Sequence, residues 1–154
     1  MNQDTQDFLS TLLTIASDHD DQRYLMDHTI YDFSEQFTDA VDEFLSTVRE
    51  RMEERMTAIM SEGFDIDDDT DNSFGSNVFF SLTGHGTGFF DTAVVGGAIQ
   101  YLLYKVTDDR RYRFDELEHM LDYDEDTETI DLIYIPEHIN DERKKLFSLS
   151  PNTQ

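Results

Sequence analysis

The stretch FSEQFTDAVDEFLSTVRERMEERMTAIM, residues 33–60, decides the fold class of this chain. Its apolar side chains recur at spacings of three and four residues, which is the period of an amphipathic α-helix. They are Phe33, Phe37, Val41, Phe44, Leu45, Val48, Met52, Met56, Ile59 and Met60. At 1.5 Å per residue this helix would span about 42 Å, and Gly63 is expected to end it. The stripe is predicted to pack into the core, with a dimer interface as the alternative.

A second helix is predicted before the long one. Asp4 is a candidate N-cap for a helix that continues to Ala16, because a side-chain carboxylate accepts hydrogen bonds from the first free backbone amides. Further on, Thr29 and Asp32 resemble a capping box, with Asp in place of the usual Glu or Gln. This box is expected to open the long helix.

The residues after the long helix predict short elements of both kinds. In chain order they are a polar loop over 64–77, a strand over 78–82, a tight glycine turn over 83–88, helices over 89–106 and 114–121, and a strand over 130–135 bounded by Pro136. The predicted class is therefore α+β, mostly helical, with a long amphipathic helix and a small sheet. We expect one acidic domain over residues 1–148 and a frayed tail over 149–154.

Composition limits the classes of protein that remain. The chain has 154 residues with 12 Phe and 7 Tyr, enough to build one core. It has no cysteine, which excludes disulfides and thiolate metal sites. It has no apolar run of membrane-spanning length, and its first residues lack the pattern of a signal peptide. These features lead us to expect a cytoplasmic protein.

Net charge is the strongest signal in the sequence. Thirty-five acidic residues stand against eleven Lys and Arg, for a net charge of −24. Electrostatic binding to nucleic acid or to an anionic membrane needs cations, so both are excluded as direct partners. A partner protein with a basic surface remains, as does charge kept for solubility.

The charge is concentrated in two segments. Residues 62–71 carry −6 and residues 115–131 carry −9, which is 15 of the 24 net charges, and the intervening residues 72–107 are neutral overall. Acidic runs of this kind also occur as plain solvated loops. The candidate partner-binding acids are Glu62, Asp65, Asp67, Asp68, Asp69, Asp71, Asp115, Glu116, Glu118, Asp122, Asp124, Glu125, Asp126 and Glu128.

No metal, cofactor or catalytic site is predicted. An EF-hand loop needs Gly at position six and Glu at position twelve, and counting from Asp67 these positions hold Asn72 and Val78. The other register, from Asp65, also fails. A zinc site needs ligands at helical or hairpin spacing. Apart from His85, the chain has four histidines, and they show no such spacing: His19, His28, His119 and His138.

The most distinctive short stretch is TGHGTGFFD, residues 83–91. Its alternating glycines free the backbone for an unusual turn before a predicted helix. His85 with Asp91 would suit acid–base work, but no nucleophile accompanies them. We therefore expect a structural turn in which His85 caps or bridges locally. The turn residues are Gly84, His85, Gly86, Gly88 and Asp91.

Together with the preceding VFFSL, this stretch resembles a family of small acidic proteins encoded by tailed bacteriophages. In that family an acidic helical half leads into a segment of the form DFWLTRNGHGxGFWD, followed by a helix and a closing strand. Here Phe replaces Trp at two places, and the Arg-Asn pair before the first glycine is missing. The resemblance implies a phage or prophage origin and a small early or accessory protein; the family brings no assigned activity.

Charge and resemblance together favour a decoy that imitates DNA. Ordered carboxylates can occupy a basic DNA channel, so restriction enzymes, CRISPR complexes, recombination nucleases and DNA-binding regulators are the expected targets. The long helix carries only seven acids and three arginines, so the acidic segments and the N-terminal acids must supply most of the mimicry. Three alternatives stay open: an accessory interaction or scaffold module, adaptation to a halophilic host, and an enzyme that uses His85.

Overall fold

The computed structural model describes residues 1–59, 65–67, 72–86, 88–91 and 96–151. In these residues the chain forms six α-helices, four short 3₁₀ helices and one two-stranded antiparallel sheet. The predicted class, mostly helical α+β, is confirmed. The α-helices are α1 (Gln3–Ser17), α2 (Glu35–Ile59), α3 (Phe74–Thr83), α4 (Gly96–Val106), α5 (Arg111–Phe114) and α6 (Pro136–Phe147), and the strands are β1 (Leu121–Asp124) and β2 (Thr129–Leu132).

The long helix is confirmed as α2, and most of its stripe faces the core. Seven of its residues are buried, namely Phe37, Val41, Phe44, Leu45, Val48, Met52 and Met56. Ile59 differs from the prediction, since its side chain at the helix end is exposed. The capping box of Thr29 and Asp32 is present, but it opens a 3₁₀ turn over Ile30–Asp32. The Ser34 hydroxyl accepts a hydrogen bond from Phe37 N at 3.1 Å and caps α2 instead.

The first helix is also confirmed, but its N-cap lies two residues earlier than predicted. Asn2 is the N-cap residue of α1, and its side-chain oxygen accepts a hydrogen bond from Thr5 N at 2.9 Å. The predicted cap, Asp4, lies inside the helix. Its carboxylate is engaged by Arg49, which explains why it does not cap.

The strand predicted over residues 78–82 is wrong, because these residues lie within helix α3. A short apolar run fits a buried helix as well as a buried strand when periodicity is the only guide. Helix α3 is buried on nearly all sides, so it has no polar face to reveal the helical period. Gly75 allows it to approach α1 closely, since an added Cβ would lie 2.1 Å from the carbonyl oxygen of Asp4.

The C-terminal part of the chain differs most from the predictions. The predicted helix over 114–121 covers only the end of α5, a 3₁₀ turn at Leu117–His119 and the first residue of β1. The predicted last strand is present but shorter, and Pro136 begins a helix, α6, that was not predicted. Of the helix predicted over 89–106, residues 96–106 are helical, residues 88–91 form a 3₁₀ turn, and 92–95 lie outside the described residues.

One hydrophobic cluster joins the elements from α1 to α6. Aromatic rings form its centre: Phe44 contacts both Phe114 and Phe147 at centroid distances of 5.5 and 5.8 Å. Beyond α6, Leu149 still packs against this core, and Arg51 donates a hydrogen bond to the carbonyl oxygen of Ser150. Among the described residues, no helix combines the length and the apolar character that crossing a membrane requires.

Candidate functional site

Strands β1 and β2 form a hairpin that presents carboxylates to solvent. The register pairs Leu121 with Leu132 and Tyr123 with Ile130, so these side chains share the inner face and the intervening ones point outward. Five predicted acids on the hairpin are exposed, and none of them pairs with a cation among the described residues; we call them the hairpin acids. They are Asp122, Asp124, Glu125, Asp126 and Glu128.

Local hydrogen bonds hold parts of this acidic hairpin in place. The Tyr24 hydroxyl donates to Asp122 Oδ1 at 2.7 Å, and Asp126 N donates to Asp124 Oδ1 at 2.8 Å in the turn. Burial, and after it the hydrogen bond to Asp122, raises the pKa of Tyr24 to about 12. Desolvation, followed by the nearby carboxylates of Glu128, Asp32 and others, also raises the pKa of Tyr123. Ionisation of either tyrosine, which would add a negative charge beside the hairpin acids, is therefore disfavoured.

The hairpin leads directly into an exposed apolar segment. Ile133, Tyr134 and Ile135 expose 60%, 40% and 54% of their surface. They line one shallow groove together with the outer face of the hairpin and the start of α6. Large exposed apolar side chains beside a polar rim are typical of protein interaction surfaces.

The first acidic segment is only partly described, and its described part is anchored. Ile66 is fully buried in the core. Asp65 is exposed, and its Oδ1 accepts a hydrogen bond from Asp67 N. The predicted acids Glu62, Asp68, Asp69 and Asp71 lie outside the described residues.

Asp67 belongs to a group of charges that we call the Arg49 cluster: Arg49, Asp4, Glu53 and Asp67. The guanidinium donates two hydrogen bonds to Asp4 at 2.7 and 2.8 Å, two to Asp67 at 2.9 Å and one to Glu53 at 3.2 Å. It also lies 4.5 Å from the ring centroid of Phe74. These hydrogen bonds hold the pKa of Asp67 below its usual range and raise that of Arg49. Asp67 therefore has an internal role, although 60% of its side chain is exposed.

The second acidic segment contains one residue that the prediction misplaces. Asp115 and Glu116 are exposed as expected for a partner-binding surface. Glu118 is not, because only 3% of its side chain is accessible. It sits in the 3₁₀ turn Leu117–His119, which packs against α1, so its carboxylate faces the interior and cannot contact a partner.

Three histidines converge on the buried carboxylate of Glu118; with it they form what we call the Glu118 cluster. His85 Nε2 lies 2.5 Å from Glu118 Oε1 and donates a hydrogen bond to it. His119 Nε2 and His19 Nε2 lie 3.7 and 3.9 Å from the same oxygen. The rings of His19 and His119 face each other with a centroid distance of 4.2 Å.

The residues of the Glu118 cluster come from separate places in the chain. His19 is the N-cap residue of the 3₁₀ helix Asp20–Asp27, directly after α1. In that helix Gln22 Nε2 donates to the carbonyl oxygens of Glu118 at 2.8 Å and Leu121 at 3.4 Å, which fixes the backbone on either side of His119. Among the described residues, His19 Nε2, Gln22 Oε1 and Glu118 Oε2 are buried without a hydrogen-bond partner.

The glycine turn brings His85 to this cluster. Gly84 ends α3 in the left-handed conformation, with φ of 75°, which favours glycine. Gly88 has φ of 52°, and an added Cβ there would lie 2.0 Å from Ser81 Oγ. His85 between them bonds to a residue 33 positions away, so the prediction that it bridges locally is wrong. The backbone of Gly86 and Asp91 is described; the side chain of Asp91 lies outside the described residues.

The histidine cluster has no recognisable signature in the sequence. Its members lie at positions 19, 85 and 119, too far apart for any helical or hairpin spacing, and His28 and His138 look no different from them in the sequence. His28 instead stacks on Tyr123 at 4.1 Å and contacts Asp32 at 3.2 Å. The contact between α1 and the turn at Leu117–His119 is what brings His19 to Glu118.

Comparison with known proteins gives no relative for this arrangement. No family model matches the chain, and neither a curated protein nor a solved structure is significantly similar to it.

Proposed function

We propose that this chain is a phage-encoded acidic protein that binds and inhibits a host DNA-binding or defence protein by imitating DNA charge. The hairpin acids carry this proposal, because they are exposed carboxylates held on an ordered frame, and no cation in the described part of the chain pairs with them. The phage origin rests on the resemblance of residues 78–91 to acidic phage proteins, and the host cytoplasm is the proposed place of action. The partner is a protein with a basic nucleic-acid-binding surface; catalysis is not part of the proposal.

Charge density supports the hairpin over the long helix as the mimic. Duplex DNA carries about one charge per 1.7 Å of axis. A four-residue strand is about 14 Å long, a length in which DNA carries about eight charges. Strand β1 carries two of the hairpin acids and the turn beyond it carries the other three, all without a paired cation among the described residues. Helix α2 has seven acids over about 37 Å, where DNA would carry about 22. Three arginines dilute them further.

Rigidity supports the same assignment. A surface already held in its binding conformation loses less side-chain and backbone entropy when a partner binds. The paired strands fix the spacing of the outward carboxylates, and the hydrogen bond from Tyr24 orients Asp122. The neighbouring Asp131 is neutralised by Arg143, which leaves the exposed acids as the charged edge.

The test compares two variants of equal net charge. One neutralises the hairpin acids as Asp122→Asn, Asp124→Asn, Glu125→Gln, Asp126→Asn and Glu128→Gln. The other neutralises five exposed acids of α2 as Glu35→Gln, Asp39→Asn, Glu43→Gln, Glu50→Gln and Glu54→Gln. Each changes the net charge from −24 to −19, so solubility and long-range attraction change alike.

Each variant is tested by affinity capture of DNA-binding proteins from bacterial lysate at low and high salt, with and without competing duplex DNA. We expect salt and DNA to release the partner, the α2 variant to capture it and the hairpin variant to lose it, because local charge complementarity sets the binding. Capture that both variants retain, or that neither salt nor DNA reduces, would contradict the proposal.

A second candidate is an interaction or scaffold module, favoured by the exposed segment Ile133–Ile135. An apolar contact of this kind would depend weakly on salt. Its test is the double variant Ile133→Ser and Ile135→Ser. Ile59→Ser is the control, because Ile59 is an isoleucine at the end of α2 that is still more exposed, at 72%. Loss of capture in the double variant, with the hairpin-neutralised variant unaffected, favours the module over the DNA mimic.

A further inference from the structure

We propose that the Glu118 cluster binds a divalent transition metal ion of the Zn²⁺ type, with His19, Glu118 and His119 as its ligands. One ligand atom from each of these residues lies within 4.8 Å of the other two. The carboxylate oxygen Oε1 is 3.9 Å from His19 Nε2 and 3.7 Å from His119 Nε2. Two imidazoles and one carboxylate thus surround a common point.

The separations suit the size of the ion. Zinc lies about 2.0–2.1 Å from imidazole nitrogen and about 2.0–2.2 Å from carboxylate oxygen in tetrahedral sites. Ligand atoms at the corners of such a tetrahedron are about 3.4 Å apart. The two separations from Glu118 Oε1 exceed this by about 0.3 and 0.5 Å, and the separation between the two imidazoles is within 4.8 Å, so the proposal requires the side chains to rotate inward when the ion binds.

Unpartnered buried atoms point to the same ligand. The Glu118 side chain is 3% exposed, yet its Oε2 has no hydrogen-bond partner among the described residues, and neither has the buried His19 Nε2. Buried polar atoms in native proteins are nearly always satisfied, and the exceptions call for an ion, a water or a functional reason. A cation bound between Glu118 Oε1 and the two imidazoles would give His19 Nε2 a partner and compensate the buried negative charge of Glu118.

His85 acts as a positioning residue rather than a ligand. Its Nε2 bonds to Glu118 Oε1, but it is not among the atoms that meet within 4.8 Å. Hydrogen bonds of this type orient metal-binding carboxylates and are important for affinity. The glycine turn therefore has a role in the proposed site, since it positions the His85 ring that orients the Glu118 carboxylate.

The donor set selects the class of metal. Two imidazole nitrogens suit Zn²⁺ and its transition-metal neighbours, whereas Ca²⁺ and Mg²⁺ prefer sites made of oxygen. The His119 side chain is 43% exposed and that of His19 32%, so the site opens to solvent on their side. Three protein ligands leave one tetrahedral position for water.

The first experiment measures zinc binding directly. The full chain is stripped with a chelator and titrated with Zn²⁺ by calorimetry in excess Mg²⁺, which occupies weak carboxylate sites. We expect one tight site per chain and a loss of affinity of more than about 100-fold in His119→Asn, since removing a ligand costs more than removing the partner of a ligand. His138→Asn is the matched control, because His138 is exposed on α6 away from the cluster.

The second experiment separates ligands from the positioning residue. Co²⁺ replaces Zn²⁺, and its visible d–d absorption reports nitrogen and oxygen coordination. We expect Glu118→Gln and His19→Asn to abolish the spectrum, and His85→Asn to weaken binding about 10- to 100-fold while the spectrum is kept. Far-UV circular dichroism of each variant verifies its fold. If the variants at the buried positions do not fold, the variant at the exposed His119 still tests the site.

Two outcomes would overturn the proposal. The first is the absence of a stoichiometric zinc site in wild-type protein. The second is binding that survives His119→Asn but disappears when the hairpin acids are neutralised, since that would place the ion on surface carboxylates. The hairpin-neutralised protein keeps its zinc site under the proposal, so the result is independent of whether the protein is a DNA mimic.

Discussion

The Arg49 cluster and the Glu118 cluster are built on opposite plans. In the first, one cation lies among three carboxylates and donates five hydrogen bonds to them. In the second, one carboxylate lies among three histidines, with a hydrogen bond to only one of them. The first has no unpartnered buried side-chain atom among the described residues, whereas the second has two, His19 Nε2 and Glu118 Oε2.

The two clusters show that the same protein uses charge in two ways. A guanidinium is a rigid fork that matches carboxylates geometrically, so the Arg49 cluster is complete with protein groups alone. In the Glu118 cluster, by contrast, His19 Nε2 and Glu118 Oε2 are buried without a hydrogen-bond partner among the described residues. The first cluster therefore serves stability, and the second is suited to an external ion.

Zinc should produce the largest effect, and it should act on one cluster only. At a free zinc concentration 100 times the dissociation constant, binding adds about 2.7 kcal/mol to the free energy of unfolding. Chemical denaturation with and without zinc measures this increment. It should vanish in Glu118→Gln and remain in full in Arg49→Met. An increment that both variants lose equally would show that the two clusters are not independent.

Replacing Arg49, the cation at the centre of the Arg49 cluster, should destabilise the folded protein. Arg49→Met leaves the mostly buried Asp4 carboxylate without its partner, and we expect the free energy of unfolding to fall by about 2 kcal/mol. Urea denaturation measures the loss. Arg23→Met is the control, because Arg23 pairs with Asp20 at the surface and should change stability by less than about 0.5 kcal/mol. Equal losses in both variants would contradict the role assigned to Arg49.

Acid should weaken the Arg49 cluster in a defined direction. The pKa of Asp67 in the folded protein is below its ordinary value of 3.8, chiefly because of the hydrogen bonds from Arg49. Its contribution to stability is therefore present above pH 3.8 and is lost as the pH falls through the folded-state pKa. Because Asp67 is 60% exposed, the effect should be below about 1 kcal/mol. Asp67→Asn should flatten this part of the stability–pH curve; an unchanged curve would count against the interaction.

The smallest expected effect on stability concerns Asp122, whose hydrogen-bond donor is the neutral hydroxyl of Tyr24. Tyr24 donates to Asp122, and its pKa is raised to about 12, so the stability it contributes is present below the ordinary value of 10 and lost as the pH rises through about 12. Ultraviolet titration of tyrosinate should show a late step that Tyr24→Phe removes. Tyr31→Phe, at an exposed tyrosine, should leave that step in place. If Tyr24→Phe does not alter the late step, the hydrogen bond is not formed in solution.

The sequence predicted the elements whose side chains alternate between core and solvent. The stripe from Phe37 to Met56 identified α2, and the apolar positions from Phe8 to Leu13 identified α1, because one-sided burial leaves a readable period. Helix α3 lacks an exposed face, so its run of apolar residues was taken for a strand. Strand β1, with the sequence LDYD, was missed because its outward positions are acidic and its inner face has only Leu121 and Tyr123.

The candidate sites were predictable to different degrees. Exposure of the hairpin acids follows from their charge, since unpaired carboxylates stay in water. Burial of Glu118 does not follow from composition, because it depends on the contact of its turn with α1 and on the hydrogen bond from His85. Nothing in the spacing of His19, His85 and His119 announces that contact. Local patterns give local structure, and this cluster is a product of tertiary packing.

The contacts of Gln22 have a consequence for the order of folding. Its two hydrogen bonds join residues 96 and 99 positions apart, and closing a loop of that length has an entropic cost that later contacts must offset. Local elements such as α2 can form before such a loop closes. The cluster around Glu118 thus forms only after the two distant parts of the chain have docked. An ion bound there would report a finished fold, and could not guide the chain toward it.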